Sequence, residues 1–269
     1  MSDNQIDRAK SAGTPDAPPA WLALLELPRA VAELGLFAAT LPQLLAAAAR
    51  GEGQPVLVLP GLLASDRSTA PLRNVLRNLG FDARGWGLGR NRGPRAIGRH
   101  GERLVAAVEA LSSESGRKVS LVGWSLGGVI ARIVAYRRPD LVRQVVTLGS
   151  PFAGGPASTN AGSIYELASG TRADDRANRA MMKDMRLPSA VPSSAIFSRG
   201  DGICAWQICR ETPARRRESI EVRGSHCGLG VNPAVLYAVA DRLAQPEGKW
   251  APFAPRGLAA LGFPGAAGA

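Results

Sequence analysis

The sequence predicts an α/β chain: a mainly parallel sheet flanked by helices, with a helical cap inserted late in the sheet. Three observations carry this. Val56-Leu57-Val58-Leu59 and Val119-Ser120-Leu121-Val122 are near-continuous apolar runs, as expected of strands buried on both faces. Stretches of helical period separate such runs, and strand alternating with helix implies parallel crossovers. Between Pro151 and Pro192 the alternation lapses into two helical patterns, near 161–169 and 173–186, so this interval reads as an insertion over about 152–190.

Residues 1–19 are polar and carry Pro15, Pro18 and Pro19, a composition expected to stay disordered. Residues 20–50 read as an amphipathic lead-in of short helices near 21–27, 29–39 and 41–49, broken at Pro28 and Pro42. This segment is rich in Leu and Ala, but Glu26, Arg29 and Glu33 interrupt it, and a membrane span wants about 20 nearly uncharged residues. The main domain is expected over 51–245. Its strands are read at 56–59, 81–84, 119–122, 144–148, 194–198 and 220–222. Its helices are read at 68–79, 97–111, 126–137 and 233–243, the last with Asn232 as its cap and Pro233 in its first turn. The tail, 246–269, is rich in Pro, Gly and Ala and is expected to be loosely ordered.

With 269 residues, 45% of them hydrophobic and 20% charged, the chain can bury a full core without a metal or disulfide. Its net charge of +11 is mostly arginine. Neither a helix-turn-helix, a finger nor an RNP pattern accompanies that charge, so nucleic acid is not an expected partner; weak peripheral contact with a membrane surface fits it. The start, MSDNQIDRAK, lacks a signal-peptide pattern, which makes the cytoplasm the expected compartment. No metal-ligand spacing is present, and neither cofactor nor metal is expected.

The chemistry concentrates at Gly123-Trp124-Ser125-Leu126-Gly127, a G-x-S-x-G placed directly after a strand and directly before a helix. A hydroxyl there stands at a helix N-terminus, where developing negative charge is favoured. Serine needs a base, and there are two histidines. His226, in Gly224-Ser225-His226-Cys227-Gly228, follows the last strand, whereas His100 lies upstream in a charged helical stretch and reads as a surface residue. In this strand-turn-helix setting the expected chain order is serine, acid, histidine, so the acid should follow a strand between Ser125 and His226, which points to Asp201 in Ser198-Arg199-Gly200-Asp201-Gly202. Asp140 reads as a turn residue, Asp174, Asp175 and Asp184 fall in the insertion, and Glu211 and Glu218 lie among arginines as expected surface ion-pair partners.

These motifs, together with Leu59-Pro60-Gly61-Leu62 and Gly149-Ser150-Pro151-Phe152, resemble the α/β-hydrolase superfamily, specifically its bacterial lipase-like and esterase-like members, over roughly residues 53–245. The resemblance implies a catalytic triad of Ser125, Asp201 and His226, with an oxyanion hole formed by the backbone N–H of Leu126 and of Leu62 or Leu63, Leu62 being favoured. It implies a serine carboxylic-ester hydrolase acting on a small-molecule ester or lipid. A thioesterase, acyltransferase or lipid deacylase on the same triad, or a non-catalytic interaction protein, are the alternatives. Candidate substrate-binding residues are Trp124, Phe152, Ile164, Tyr165 and Met181, with Leu167, Met182 and Met185 as further cap residues; packing of the cap residues against the body is the equal alternative. The placement of Cys209 and Cys227 also looks similar to that in relatives; a bridge between them and three free thiols are both open readings.

Overall fold

The computed structural model describes residues 15–98, 101–170, 187 and 189–264. Six strands form one sheet: β1 (Pro55–Leu59), β2 (Asp82–Gly85), β3 (Val119–Trp124), β4 (Val142–Leu148), β5 (Ser193–Ser198) and β6 (Arg217–Val222). Their order is β2-β1-β3-β4-β5-β6 and every neighbouring pair is parallel. All six carboxyl ends therefore meet at one edge, the place where open parallel sheets bind ligands. The described helices are α1 (Ala20–Leu24), α2 (Glu26–Ala47), α3 (Ala70–Asn78), α4 (Pro94–Ile97), α5 (Glu102–Ser115), α6 (Leu126–Arg137), α7 (Gly162–Ser169) and α8 (Pro233–Ala244).

Strand alternation sorts the core into two layers. Val56 and Val58 face Leu72, Val75 and Leu76 of α3 and Leu236 and Val239 of α8. Leu57 and Leu59 face the opposite way, onto Leu104 and Val108 of α5 and Ile130 and Val134 of α6. Leu76 and Leu104 are fully enclosed, and burying a side chain of that size stabilises by roughly 1.5–3 kcal/mol. Asn232 caps α8 as expected, its side chain accepting from the N–H groups of Ala234 and Val235.

Several expectations need correction. The lead-in is one short helix and one of 22 residues, not three. Pro28 falls in the first turn of α2, where an N–H would be unpaired anyway, and Pro42 lies on the exposed side, where the carbonyl it leaves free can meet water. By length and a mean hydropathy of 1.5, α2 could cross a membrane. In this structure its inner stripe lies on the protein body: Phe37, Leu41, Leu44 and Leu45 pack on the core, and Glu26 is buried. The helix expected over 97–111 is split, with Gly98 and Gly101 at φ values of +90° and +78° between α4 and α5, a region that favours glycine. Part of the expected N-terminal disorder is ordered too: Asn160 Nδ2 donates to the Pro18 carbonyl at 3.0 Å, and Ser158 Oγ to that of Pro15 at 2.5 Å. The tail is docked through Phe253 and Phe263, whose ring centroids lie 4.7 Å apart beside Tyr237.

Glu211 and Glu218 are not surface partners of the neighbouring arginines. Glu211 is buried and pairs with buried Arg132 of α6, while Ser193 Oγ also donates to it at 2.6 Å. Glu218 accepts from Arg242 of α8 and Ser194 Oγ at 2.8 and 2.7 Å. Both carboxylates sit where helices pack against β5 and β6, and sequence neighbours could not reveal partners so far away along the chain.

Candidate active site

The turn after β3 has the strain its sequence implies. Ser125 adopts φ 53° and ψ −122°, unusual for a residue with a side chain. Its N–H donates to Leu148 O at 2.8 Å, which pins the turn to the end of β4. A Cβ on Gly123 would run into the backbone of Gly128, and one on Gly127 into the Leu59 carbonyl, so the glycines permit a close approach of strand to helix. Ser125 is left partly exposed at the start of α6.

Asp201 follows β5 and His226 follows β6. Both are buried, and Asp201 Oδ2 lies 2.6 Å from His226 Nδ1. Asp201 Oδ1 accepts the N–H groups of Ile203 and Cys204 at 2.8 and 2.7 Å, which fixes the carboxylate. Nδ1 is thereby assigned its proton, and Nε2 is left as the basic nitrogen. Burial pushes the imidazole pKa down, but the Asp201 charge, then Cys204, then the hydrogen bond to Asp201, and lastly Glu26 carry it above the ordinary value. The His226 loop reaches the serine turn through Trp124, whose Nε1 donates to the His226 carbonyl at 3.1 Å. Among the described residues no hydrogen bond joins Ser125 Oγ to His226, a contact that in many unliganded sites tightens only with substrate.

Leu126 opens α6, where the first N–H groups have no partner within the helix. On the loop after β1, the Leu63 N–H is already engaged, donating to Asn91 O at 2.7 Å, so Leu62 remains the available donor. Asn91, fully buried, braces that loop: its Nδ2 donates to Pro60 O at 2.7 Å and its N–H to Ala64 O at 2.8 Å. Potential ligand atoms of Asp201, Cys204 and His226 lie within 4.8 Å of one another. Both Asp201 oxygens are already accepting, however, and the Cys204 pKa is raised by a hydrogen bond with Cys209 and by burial, so this donor set suits orienting the imidazole better than holding a metal.

Other candidates are placed differently. Phe152 is buried beside Val129, Ile133 and Ala195, with the Arg132 guanidinium 3.9 Å from its ring centre; it belongs to the core, and the substrate-binding expectation is withdrawn for it. Trp124 packs on the core and holds the His226 loop, a structural task. Ile164 and Leu167 are exposed on α7, while Tyr165 is half-buried against Gly93. Met181, Met182, Met185 and His100 lie outside the described residues, as does the segment 173–186 expected to form a second cap helix. All three cysteines are free, and the sulfur partner of Cys209 is Cys204, not Cys227.

Sequence reasoning missed the residues that support the pair from the N-terminal helix. Glu26 accepts from Gly202, His226 and Cys227, Glu33 accepts from Ser225, and Arg29 donates to Gly200 O. Three charged residues on one face of an otherwise apolar helix were the available signal.

A family profile described as alpha/beta hydrolase fold matches residues 54–183. A triacylglycerol lipase of Vibrio cholerae is 47% identical over 57 residues, 21% of this chain and 18% of the relative. The serine hydrolase BPHL of Mus musculus is 35% identical over 108 residues, 37% of each chain. The chain thus matches well under half the length of these curated relatives. Among solved structures, the Bacillus licheniformis lipase BlEst2 superposes with a TM-score of 0.53 at 17% identity, covering 74% of this chain and 94% of that one. Lipase B of Aspergillus fumigatus gives 0.52 at 18% identity, covering 76% and 57%.

Proposed function

We propose that this chain, whose residues 54–183 match a family profile described as alpha/beta hydrolase fold, is a serine carboxylic-ester hydrolase of the esterase or lipase type, with Ser125 as nucleophile, His226 as base and Asp201 as its orienting acid. The observation that carries the reading is the buried 2.6 Å contact between Asp201 Oδ2 and His226 Nδ1, at the sheet edge where Ser125 is held in its strained turn. Such a pair has an evident chemical use: it presents a basic Nε2 and stabilises the imidazolium that forms when Nε2 takes a proton.

In the first half-reaction Ser125 Oγ bonds to the ester carbonyl carbon as its proton passes to His226 Nε2. The N–H groups of Leu126 and Leu62 receive the oxyanion. The C–O bond to the alcohol breaks, the alcohol oxygen takes the Nε2 proton, and an acyl-Ser125 remains. In the second half-reaction water attacks that carbonyl and gives its proton to Nε2. The carboxylic acid leaves as Ser125 Oγ takes the proton back. Curated relatives named triacylglycerol lipase and serine hydrolase support an ester or lipid as substrate. Weak peripheral membrane contact remains part of the proposal, supported by the exposed Trp21, Leu24, Leu27 and Val31 on α1 and α2 and by the net charge of +11.

The test is hydrolysis of p-nitrophenyl esters against acyl-CoA thioesters by the purified chain and by Ser125→Ala. Ester turnover that falls by several orders of magnitude in the variant, with an intact fold, is expected. Thioester cleavage far exceeding ester cleavage would overturn the substrate assignment.

A further inference from the structure

We propose that α2 supplies a positioning residue for the reaction: Glu26 ties the loop bearing Asp201 to the loop bearing His226. The inference rests on the triad reading above. Glu26 Oε1 accepts the N–H of Gly202 at 2.7 Å and of His226 at 3.1 Å, while Oε2 accepts that of Cys227 at 2.8 Å. One carboxylate thus holds the backbone just after the acid and on both sides of the base's Cα. Its neighbours on the same helix face hold the residues just before each: Arg29 Nη1 donates to Gly200 O at 2.7 Å, and Glu33 Oε1 accepts from Ser225 N at 2.6 Å. The backbone of the preceding helix, α1, also packs close to Gly202, where a Cβ would come within 2.5 Å of the Leu22 carbonyl oxygen.

Over its first two turns α2 turns a polar face inward and apolar residues outward, the reverse of ordinary packing. Glu26 is only 2% exposed, and burying a carboxylate is costly unless charge-assisted hydrogen bonds replace its water. Three backbone donors do that here. An apolar residue could anchor the helix with less desolvation, as Phe37, Leu41 and Leu44 do about three to five turns further along. What the carboxylate adds is a shared acceptor for two loops that follow different strands, β5 and β6. Small displacements between a base and its orienting acid weaken catalysis steeply, by up to about 100-fold for 1 Å. The helix lies before the region matched by the family profile, residues 54–183, so this support is contributed from outside it.

The charge has a second consequence. Around His226 stand Asp201 and Cys204 in the acid loop, Cys227 in its own loop, and Glu26, with Arg29 and Glu33 beside it, on α2. Glu26 favours the imidazolium, so neutralising it lowers the His226 pKa and moves the acid limb of kcat/KM to lower pH.

The test compares the full chain with Glu26→Gln, Arg29→Ala and a packing control, Phe37→Ala, using p-nitrophenyl ester kinetics across pH and thermal unfolding. Glu26→Gln should lower kcat by about 10- to 100-fold with KM within about twofold, and shift the acid limb downward. Arg29→Ala, which loses the bond to Gly200 and the 3.9 Å ion pair with Glu26 but leaves the Glu26 carboxylate on its three N–H donors, should lower kcat less, again at constant KM. Phe37→Ala should lower Tm while leaving kcat and the acid limb in place. If Glu26→Gln does not fold, unchanged kcat in Arg29→Ala overturns the proposal; if it folds, unchanged kcat and an unmoved limb do so. Ser125→Ala separates the two levels: residual turnover in that variant is failure of the triad reading, whereas an inactive Ser125→Ala beside a fully active Glu26→Gln is failure of the positioning role alone.

Discussion

Replacing Asn91 by alanine should damage both stability and catalysis, by amounts that follow from its bonds. The side chain is fully buried; Nδ2 donates to Pro60 O at 2.7 Å and Oδ1 accepts the Gly93 N–H at 3.0 Å. Alanine would leave a buried carbonyl and a buried N–H without these partners. At about 1–3 kcal/mol for each orphaned group, the loss is roughly 2–6 kcal/mol, which denaturant unfolding would register. Pro60 opens the loop that carries Leu62, so freeing its carbonyl also lets the proposed oxyanion donor drift. Loss of one such donor costs about 100- to 1,000-fold in kcat, and partial displacement should give some fraction of that. Ester kinetics well below the unfolding transition would separate the two effects. Wild-type kcat in a folded but destabilised Asn91→Ala protein would refute the view that this asparagine shapes the oxyanion loop.

Two further outcomes follow from buried charge. Arg132→Met should cost about 3–5 kcal/mol in denaturant unfolding, because it strands Glu211 in a site where both partners are buried; a loss below 1 kcal/mol would mean that water reaches the carboxylate. The acid limb of wild-type kcat/KM should lie above the free imidazole value of about 6.5, since the base must be neutral to act and the net effect of Asp201 and its neighbours is to raise the His226 pKa; a limb at or below that value would contradict the electrostatics of the pair.

The strands were readable because burial on both faces leaves continuous apolar runs: those at 56–59, 119–122 and 194–198 all lie within observed strands. The Gly-Trp-Ser-Leu-Gly turn was readable because close approach of strand and helix restricts which residues fit. Chain order then pointed to Asp201 and His226, and the structure brings these two together. What escaped was long-range. Glu26, Arg29 and Glu33 looked like interruptions in an apolar segment, yet they face loops about 170 to 200 residues away, and no local pattern encodes that distance. The same holds for Glu211 and Arg132, 79 residues apart. Phe152, a candidate substrate contact by sequence, is buried in the core, a use of an aromatic side chain that periodicity cannot separate from a pocket lining.

The most direct measurement of the central claim is the turnover of the Ser125→Ala/His226→Ala double variant beside each single variant, on one p-nitrophenyl ester under identical conditions. If Ser125, His226 and Asp201 act as a unit, each single substitution lowers kcat by several orders of magnitude and the double is no worse than the singles. Losses that multiply in the double variant, or a His226→Ala enzyme that retains most of its turnover, would contradict the account.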